Sequence, residues 1–210
     1  MTGSGTPPEI EDWFAGRGWR IRDHQRAMLE ASDRGDHALL VADTGAGKTL
    51  AGFLPTLAAF TPSRLGDLTP PDGLHTIYVS PLKALAQDVA RNLLAPIDEM
   101  GLPIRVETRS GDTSSDRKRR QREKPPHVLL TTPESLSLLL SYPESFEIFA
   151  SVRRIVIDDP EAFRAVRGRS TMFLANHQVG VESLLFSIIA SGLIGVPTVT
   201  LAKAEHRATW

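Results

Sequence analysis

The 210-residue chain contains no cysteine. That excludes disulfide scaffolds, thiolate zinc sites and cysteine nucleophiles. It has almost no net charge: 24 basic and 25 acidic side chains leave −1. A nucleic-acid partner would have to be held by local basic patches, because the global field is near zero. Residues 1–10 have neither a basic n-region nor an apolar run, which predicts no signal peptide, a cytoplasmic chain and a frayed N-terminus over residues 1–9. Only Ser183–Ala202 is uncharged over a length near that of a membrane span, and Ser191, Gly192, Gly195 and Pro197 interrupt it. It reads as a buried helix, a turn and a buried strand, with no stable membrane span. Hydrophobic content of 41% and charged content of 23% are those of a globular domain with a sizeable core.

Short β-branched runs alternate with helical stretches. Strands are expected at Ala38–Ala42, Thr76–Ser80, Ile104–Thr108, His127–Thr131 and Arg154–Asp158. Helices are expected near Asp23–Ser32, Lys48–Ala59, Ala84–Met100, Ser115–Arg122 and Pro133–Leu140. This alternation predicts an α/β fold with a mostly parallel sheet. Thr61–Gly73, rich in Pro, Gly and Asp, reads as a surface loop. After Asp158 the pattern changes. A junction over residues 160–170 leads to a predicted strand–helix–strand unit over 171–210, with strands at Thr171–Ala175 and Thr198–Ala202 and a helix near Val181–Ala190.

The sharpest motif follows the first strand: Asp43-Thr44-Gly45-Ala46-Gly47-Lys48-Thr49, then a helix. Gly45 and Gly47 permit a loop whose amides curl around phosphate oxygens, and the helix directs its positive end at the same place. In this order Lys48 would reach the β/γ-phosphates and Thr49 would offer a hydroxyl to Mg²⁺. A chance glycine turn before a helix is the alternative. Gln25, ahead of the loop, has an amide able both to donate to and to accept from an adenine edge. In isolation it is equally a surface-helix glutamine. The basic run Arg117-Lys118-Arg119-Arg120, with Arg122 and Lys124, could follow a nucleic-acid backbone, but Asp116 and Glu123 beside it favour a solvated helix face.

Taken in order, these segments resemble a superfamily-two DEAD/DEXH-box helicase of the ligase-associated, Lhr-like type, over about residues 10–159. Trp13-Phe14 and Gln25 resemble its adenine-reading element, and residues 43–49 its P-loop, with Ala42 where the general motif starts with Gly. Tyr78-Val79-Ser80-Pro81-Leu82-Lys83 resembles motif Ia, and Thr131-Thr132-Pro133-Glu134 resembles motif Ib. Thr108-Arg109-Ser110-Gly111-Asp112-Thr113 resembles the element between them. The resemblance implies a RecA-like ATPase lobe using ATP and Mg²⁺. It implies nucleotide contacts from Gln25 and from Thr44, Gly45, Ala46, Gly47, Lys48 and Thr49. It also implies contacts to a single-stranded nucleic-acid backbone from Pro81, Lys83, Arg109, Ser110, Gly111, Thr131, Thr132 and Pro133. Asp158 would share the metal with Thr49. The catalytic position after it holds Asp159 where the family has Glu, and Pro160 follows. With nothing like motif III and no second lobe in these 210 residues, the expectation is an incomplete lobe, inactive alone.

Residues 172–182 resemble a second family, the glycerol-phosphate and lysophospholipid acyltransferases, through Asn176-His177 and Glu182, with Ala202-Lys203-Ala204-Glu205 further on. That resemblance implies His177 as a general base oriented by Glu182, and a lipid or acyl-donor partner. The alternatives to a helicase lobe are therefore an acyltransferase, or a nucleotide-binding module without turnover, in a chimeric or truncated chain.

Overall fold

The structure is a computed structural model that describes residues 5–43, 45–80, 83–158 and 198–203. In chain order these form α1 (Pro8–Gly16), α2 (Asp23–Arg34), β1 (Ala38–Ala42), α3 (Lys48–Ala59), α4 (Pro62–Leu65), β2 (Thr76–Val79), α5 (Lys83–Glu99), β3 (Val106–Arg109), α6 (Ser115–Glu123), β4 (Val128–Thr131), α7 (Pro133–Leu140), α8 (Ser145–Phe149), β5 (Arg154–Asp158) and β6 (Thr198–Lys203). The strands make one sheet in the order β1-β6-β5-β2-β4-β3, with every pair parallel.

Alternation along the central strands builds two cores. Tyr78, Val128, Leu130 and Val156 face α1, α2, α3 and α5 through Ile10, Phe14, Met28, Leu29, Phe53, Leu57 and Leu93. Their neighbours Ile77, Val79, Leu129, Ile155 and Ile157 pack with Leu136, Leu139, Ile148 and Phe149 of α7 and α8. A sheet covered on both faces requires strands apolar at every position, and β2 and β4 are buried throughout. Helix α3 is apolar on all sides because it runs through the middle of the first core. Helix α2 stops at Gly35, whose φ of 75° closes a left-handed cap, with Asp36 N–H donating to Ala31 O at 2.9 Å.

Two outcomes differ from expectation. Helix α1 begins inside the stretch expected to be frayed: Pro8 occupies its first turn, Glu9 and Glu11 follow, and Ile10 and Phe14 are buried one turn apart. A short helix, α4, interrupts the expected loop, tied back by Glu9, which accepts from Ser63 N at 2.7 Å. Strand β6 starts at the expected residue and joins the same sheet. It lies between β1 and β5, with Ala42 beside Lys203 and Asp158 beside Leu201. The junction at 160–170, the expected strand at Thr171–Ala175 and the expected helix at Val181–Ala190 lie outside the described residues. No helix among the described residues is long and apolar enough to cross a membrane.

The amino edge of the sheet is closed by polar side chains turned inward. His127 O accepts from the amides of His75 and Thr76 (both 2.9 Å), and His75 O from those of Arg153 and Arg154 (2.9 and 3.1 Å). The Phe60 ring lies 5.1 Å from both His75 and His127. Arg154 donates to His75 Nε2 at 3.4 Å and to the Ser32 hydroxyl. His75 Nδ1–H therefore donates to Thr76 Oγ1 at 2.9 Å, and Thr76 meets Thr56 Oγ1 at 2.8 Å. Burial, reinforced by the Arg154 charge, pushes the His75 pKa down to about 3.

Candidate nucleotide site and nucleic-acid edge

Parallel strands deliver all their carboxyl ends to one edge, and the candidate residues gather there. After β1 the chain turns at Asp43, with Ala46 N–H donating to Asp43 O at 3.1 Å. Gly45 and Gly47 have φ of 82° and 76°, in the left-handed region that side chains avoid. Gly47 is the N-cap of α3, and its carbonyl accepts from Ala51 N at 2.9 Å. The amides of Lys48, Thr49 and Leu50 thus precede the first intrahelical bond and have no acceptor within the helix. The Lys48 ammonium folds back over this mouth and donates to Ala42 O (2.6 Å) and Asp43 O (2.8 Å). Those two carbonyls are neutral, so an anion arriving at the helix end offers the ammonium a stronger partner.

Helix α2 touches the loop from behind. His24 Nε2 lies 3.0 Å from Ala46 O. Gln25 Oε1 accepts from Arg22 N at 3.0 Å, and its Nε2 approaches Gly47 O at 3.5 Å. Gln25 is buried, with both ends of its amide engaged on backbone. Sequence reasoning missed His24, although its place beside Gln25 was a usable signal. The expectation for Trp13-Phe14 is corrected. Phe14 is buried in the core, and Trp13 donates to Glu99 at 2.8 Å, with Arg17 5.1 Å above its ring. Both rings clasp α1 to the body of the lobe, so neither is displayed to a base.

Across the edge, Asp158 ends β5 opposite Leu201, which is opposite Leu40 of β1. At about 4.8 Å per strand, one intervening strand sets Asp158 about 10 Å from β1. Thr49 is half-buried in the first turn of α3. Among the described residues no cluster of three or more His, Asp or Glu could hold a metal. Any ion here would be shared between isolated oxygen donors and a ligand's phosphates, which suits the hard, water-retaining Mg²⁺. Thr44, Asp159, His177 and Glu182 lie outside the described residues.

The expected nucleic-acid contacts separate into two groups. Lys83 opens α5 and Pro133 opens α7, half-buried, while Ser110 and Gly111 reach the surface in a turn closed by Ser110 N–H donating to Thr113 Oγ1 at 2.9 Å. Arg109, Thr131 and Thr132 are all buried, so a contact from them to a nucleic acid would be made by backbone and not by the side chain. The Arg109 guanidinium donates to Lys118 O (3.0 Å) and Gln121 Oε1 (3.3 Å), fastening α6 to β3. Thr132 caps α7 by accepting from Ser135 N at 3.4 Å. Pro81 lies outside the described residues. The basic face of α6 is largely self-paired. Glu107 accepts from Gln121 (3.0 Å), Arg117 (3.1 Å) and Arg120 (3.4 Å), Arg119 pairs with Asp116 at 3.2 Å, and Arg122 lies 4.2 Å over the Tyr142 ring. Burial alone would raise the Glu107 pKa, but the Gln121 amide and the Arg117 guanidinium bring it below the ordinary value.

A parallel sheet, a left-handed glycine loop after its edge strand and a lysine on the first turn of the next helix define a P-loop nucleotide-binding lobe. The DEAD/DEAH box helicase family matches over residues 22–187, and the chain belongs to that family. It is 38% identical over 164 residues to the ATP-dependent helicase Lhr-Core of Methanothermobacter thermautotrophicus, covering 72% of this chain and 19% of that one. It is 39% identical over 168 residues to the Lhr helicase/probable uracil glycosylase of Mycolicibacterium smegmatis, covering 74% and 11%. Among solved structures, Mycobacterium smegmatis helicase Lhr bound to ssDNA and AMP-PNP superposes with a TM-score of 0.72 at 32% identity, over 94% of this chain and 24% of that one. The DUF1998 helicase MrfA bound to DNA and AMPPNP gives 0.70 at 25%, over 97% and 26%. The chain thus spans about a fifth of the Lhr-Core length. The family match continues past Asp159 and across His177 and Glu182, and the comparisons lend the acyltransferase and chimera readings no support.

Proposed function

We propose that the chain is the ATP-binding lobe of an ATP-dependent helicase that works on single-stranded nucleic acid in the cytoplasm. The carrying observation is the Gly45–Lys48 loop, with its free helix amides and a lysine resting on two neutral carbonyls. Residues 44–49 would enclose the phosphates, with Lys48 leaving Ala42 O and Asp43 O for a phosphate oxygen. Thr49 and Asp158 would share Mg²⁺, and Gln25 would reach the adenine by exchanging its bonds to Arg22 N and Gly47 O. The relatives solved with AMP-PNP and DNA support both partners. Lys83, Ser110, Gly111 and Pro133 lie at the carboxyl ends of β2, β3 and β4, where backbone amides and hydroxyls suit a sugar–phosphate chain without reading its bases. Hydrolysis by these 210 residues alone would be slow. Asp159 is one methylene shorter than Glu, and a misplacement near 1 Å costs on the order of a hundredfold.

Calorimetry with Mg-ATP on the wild type and on Lys48→Ala tests the reading. The expected wild-type affinity is on the order of 0.1–1 mM, about 4–5.5 kcal/mol, with no measurable heat from the variant. Equal heats from the two proteins would overturn it.

A further inference from the structure

His24 is not among the groups assigned above, yet it holds the phosphate loop from outside. Ala46 O can only accept, so the His24 nitrogen 3.0 Å away must carry the hydrogen. The described backbone has no cis peptides. In a trans peptide the C=O and the following N–H point in opposite directions. An Ala46 carbonyl turned back toward α2 therefore leaves the Gly47 N–H turned away from α2. The N–H of Ala46 itself closes the loop on Asp43 O. The peptide that His24 grips therefore aims its Gly47 N–H away from α2.

That peptide has glycine at its far side and again one residue before it, at Gly47 and Gly45. Glycine gives the chain access to both signs of φ, so this peptide can rotate with little steric resistance. A loop of this kind does not fix its own amide direction; an outside contact must. Gln25 packs the same side, since a Cβ on Gly47 would fall 2.9 Å from Gln25 Nε2. The bond from Arg22 N to Gln25 Oε1 fixes the first turn of α2, on which His24 sits.

We infer that His24 is a positioning residue for phosphate binding: its Nε2–H bond to Ala46 O pre-sets the Gly47 amide toward the bound nucleotide's phosphates. This rests on the ATP-binding reading. The brace belongs to α2 and not to the loop, so a change in the angle of α2 would reach the phosphates through His24.

The test compares Mg-ADP affinity in the wild type, His24→Ala and His24→Gln, with Lys48→Ala as control. One hydrogen bond's contribution predicts about a five- to tenfold weaker affinity for His24→Ala. His24→Gln, whose amide can still donate, should lie within about twofold of wild type. Thermal midpoints without nucleotide should be the same for all three. Wild-type affinity in His24→Ala would overturn the inference, as would His24→Gln binding as weakly as His24→Ala. A fall in nucleotide-free stability that accounts for the lost affinity would overturn it too. A separate readout needs no nucleotide. Imidazole ¹⁵N spectra of the neutral ring must show the Nε2–H tautomer for His24. The Nδ1–H tautomer would refute the brace whatever nucleotide does, whereas equal binding by wild type and Lys48→Ala would refute only the ATP-binding reading.

Discussion

The two edges of one sheet use their polar groups in opposite ways. At the amino edge His75, His127, Thr76 and Arg154 turn inward, partnered by Phe60, Thr56 and Ser32. At the carboxyl edge the backbone curls outward, leaving helix amides with no acceptor in the helix and a lysine on two replaceable carbonyls. The amino edge is closed by its own side chains, and the carboxyl edge is where a ligand can be received. Perturbing each edge should therefore move a different observable.

The largest expected effect on stability is at Phe60. Removing a fully buried ring held between two imidazoles, as in Phe60→Ala, should cost about 3–5 kcal/mol in urea unfolding. Nucleotide affinity of the folded protein should not change. A comparable loss of affinity would mean that the two edges are coupled.

Acid comes next. The folded His75 resists protonation down to about 3, whereas an unfolded imidazole takes a proton near its ordinary value, about 6.5. Between those values the unfolded chain binds more protons. Stability is then complete above about pH 6.5 and falls as pH is lowered toward 3. Unfolding free energies from urea titrations at pH 7 and pH 5 should differ by about 2 kcal/mol, and His75→Gln should remove most of that difference. An unchanged slope in the variant would move the acid sensitivity elsewhere.

The smallest effect on stability, with a large one on binding, belongs to the carboxyl edge. Gly45→Ala meets no atom within 4 Å, so its cost is the left-handed backbone alone, about 1–2 kcal/mol. Mg-ATP binding should nevertheless weaken more than tenfold in calorimetry, because the loop would relax away from φ near 82°. Retained binding would show that the glycine conformation is not what admits the phosphate.

Much of this division was legible in the sequence. Helices α3 and α7 fall where the motif before Lys48 and the Thr132-Pro133 start signal put them, and the strands agree within a residue or two, because β-branched runs bounded by turn residues leave little choice. Position along the chain says less about burial. Arg109, Thr131 and Thr132 stand at the carboxyl ends of strands, as ligand-contacting residues do, and only the packing of α6 and α7 shows that their side chains are engaged inside. Helix α1 was hidden by its prolines, which mark a helix start as readily as a frayed end. The place of β6 could not be read locally at all, since strand order in a parallel sheet is decided by long crossovers.

That strand order also sets a timetable. Ala38 pairs with Val199, so among the described strands β1 gains its neighbour only once residues 198–203 have left the ribosome. At about 5–20 residues per second, the strand bearing the phosphate loop would wait on the order of ten seconds or more after its own synthesis, while β2, β3, β4 and β5 can already pair. The strand that carries the phosphate loop would thus join the sheet after β2, β3, β4 and β5, and during that interval a chaperone would find β1 unpaired.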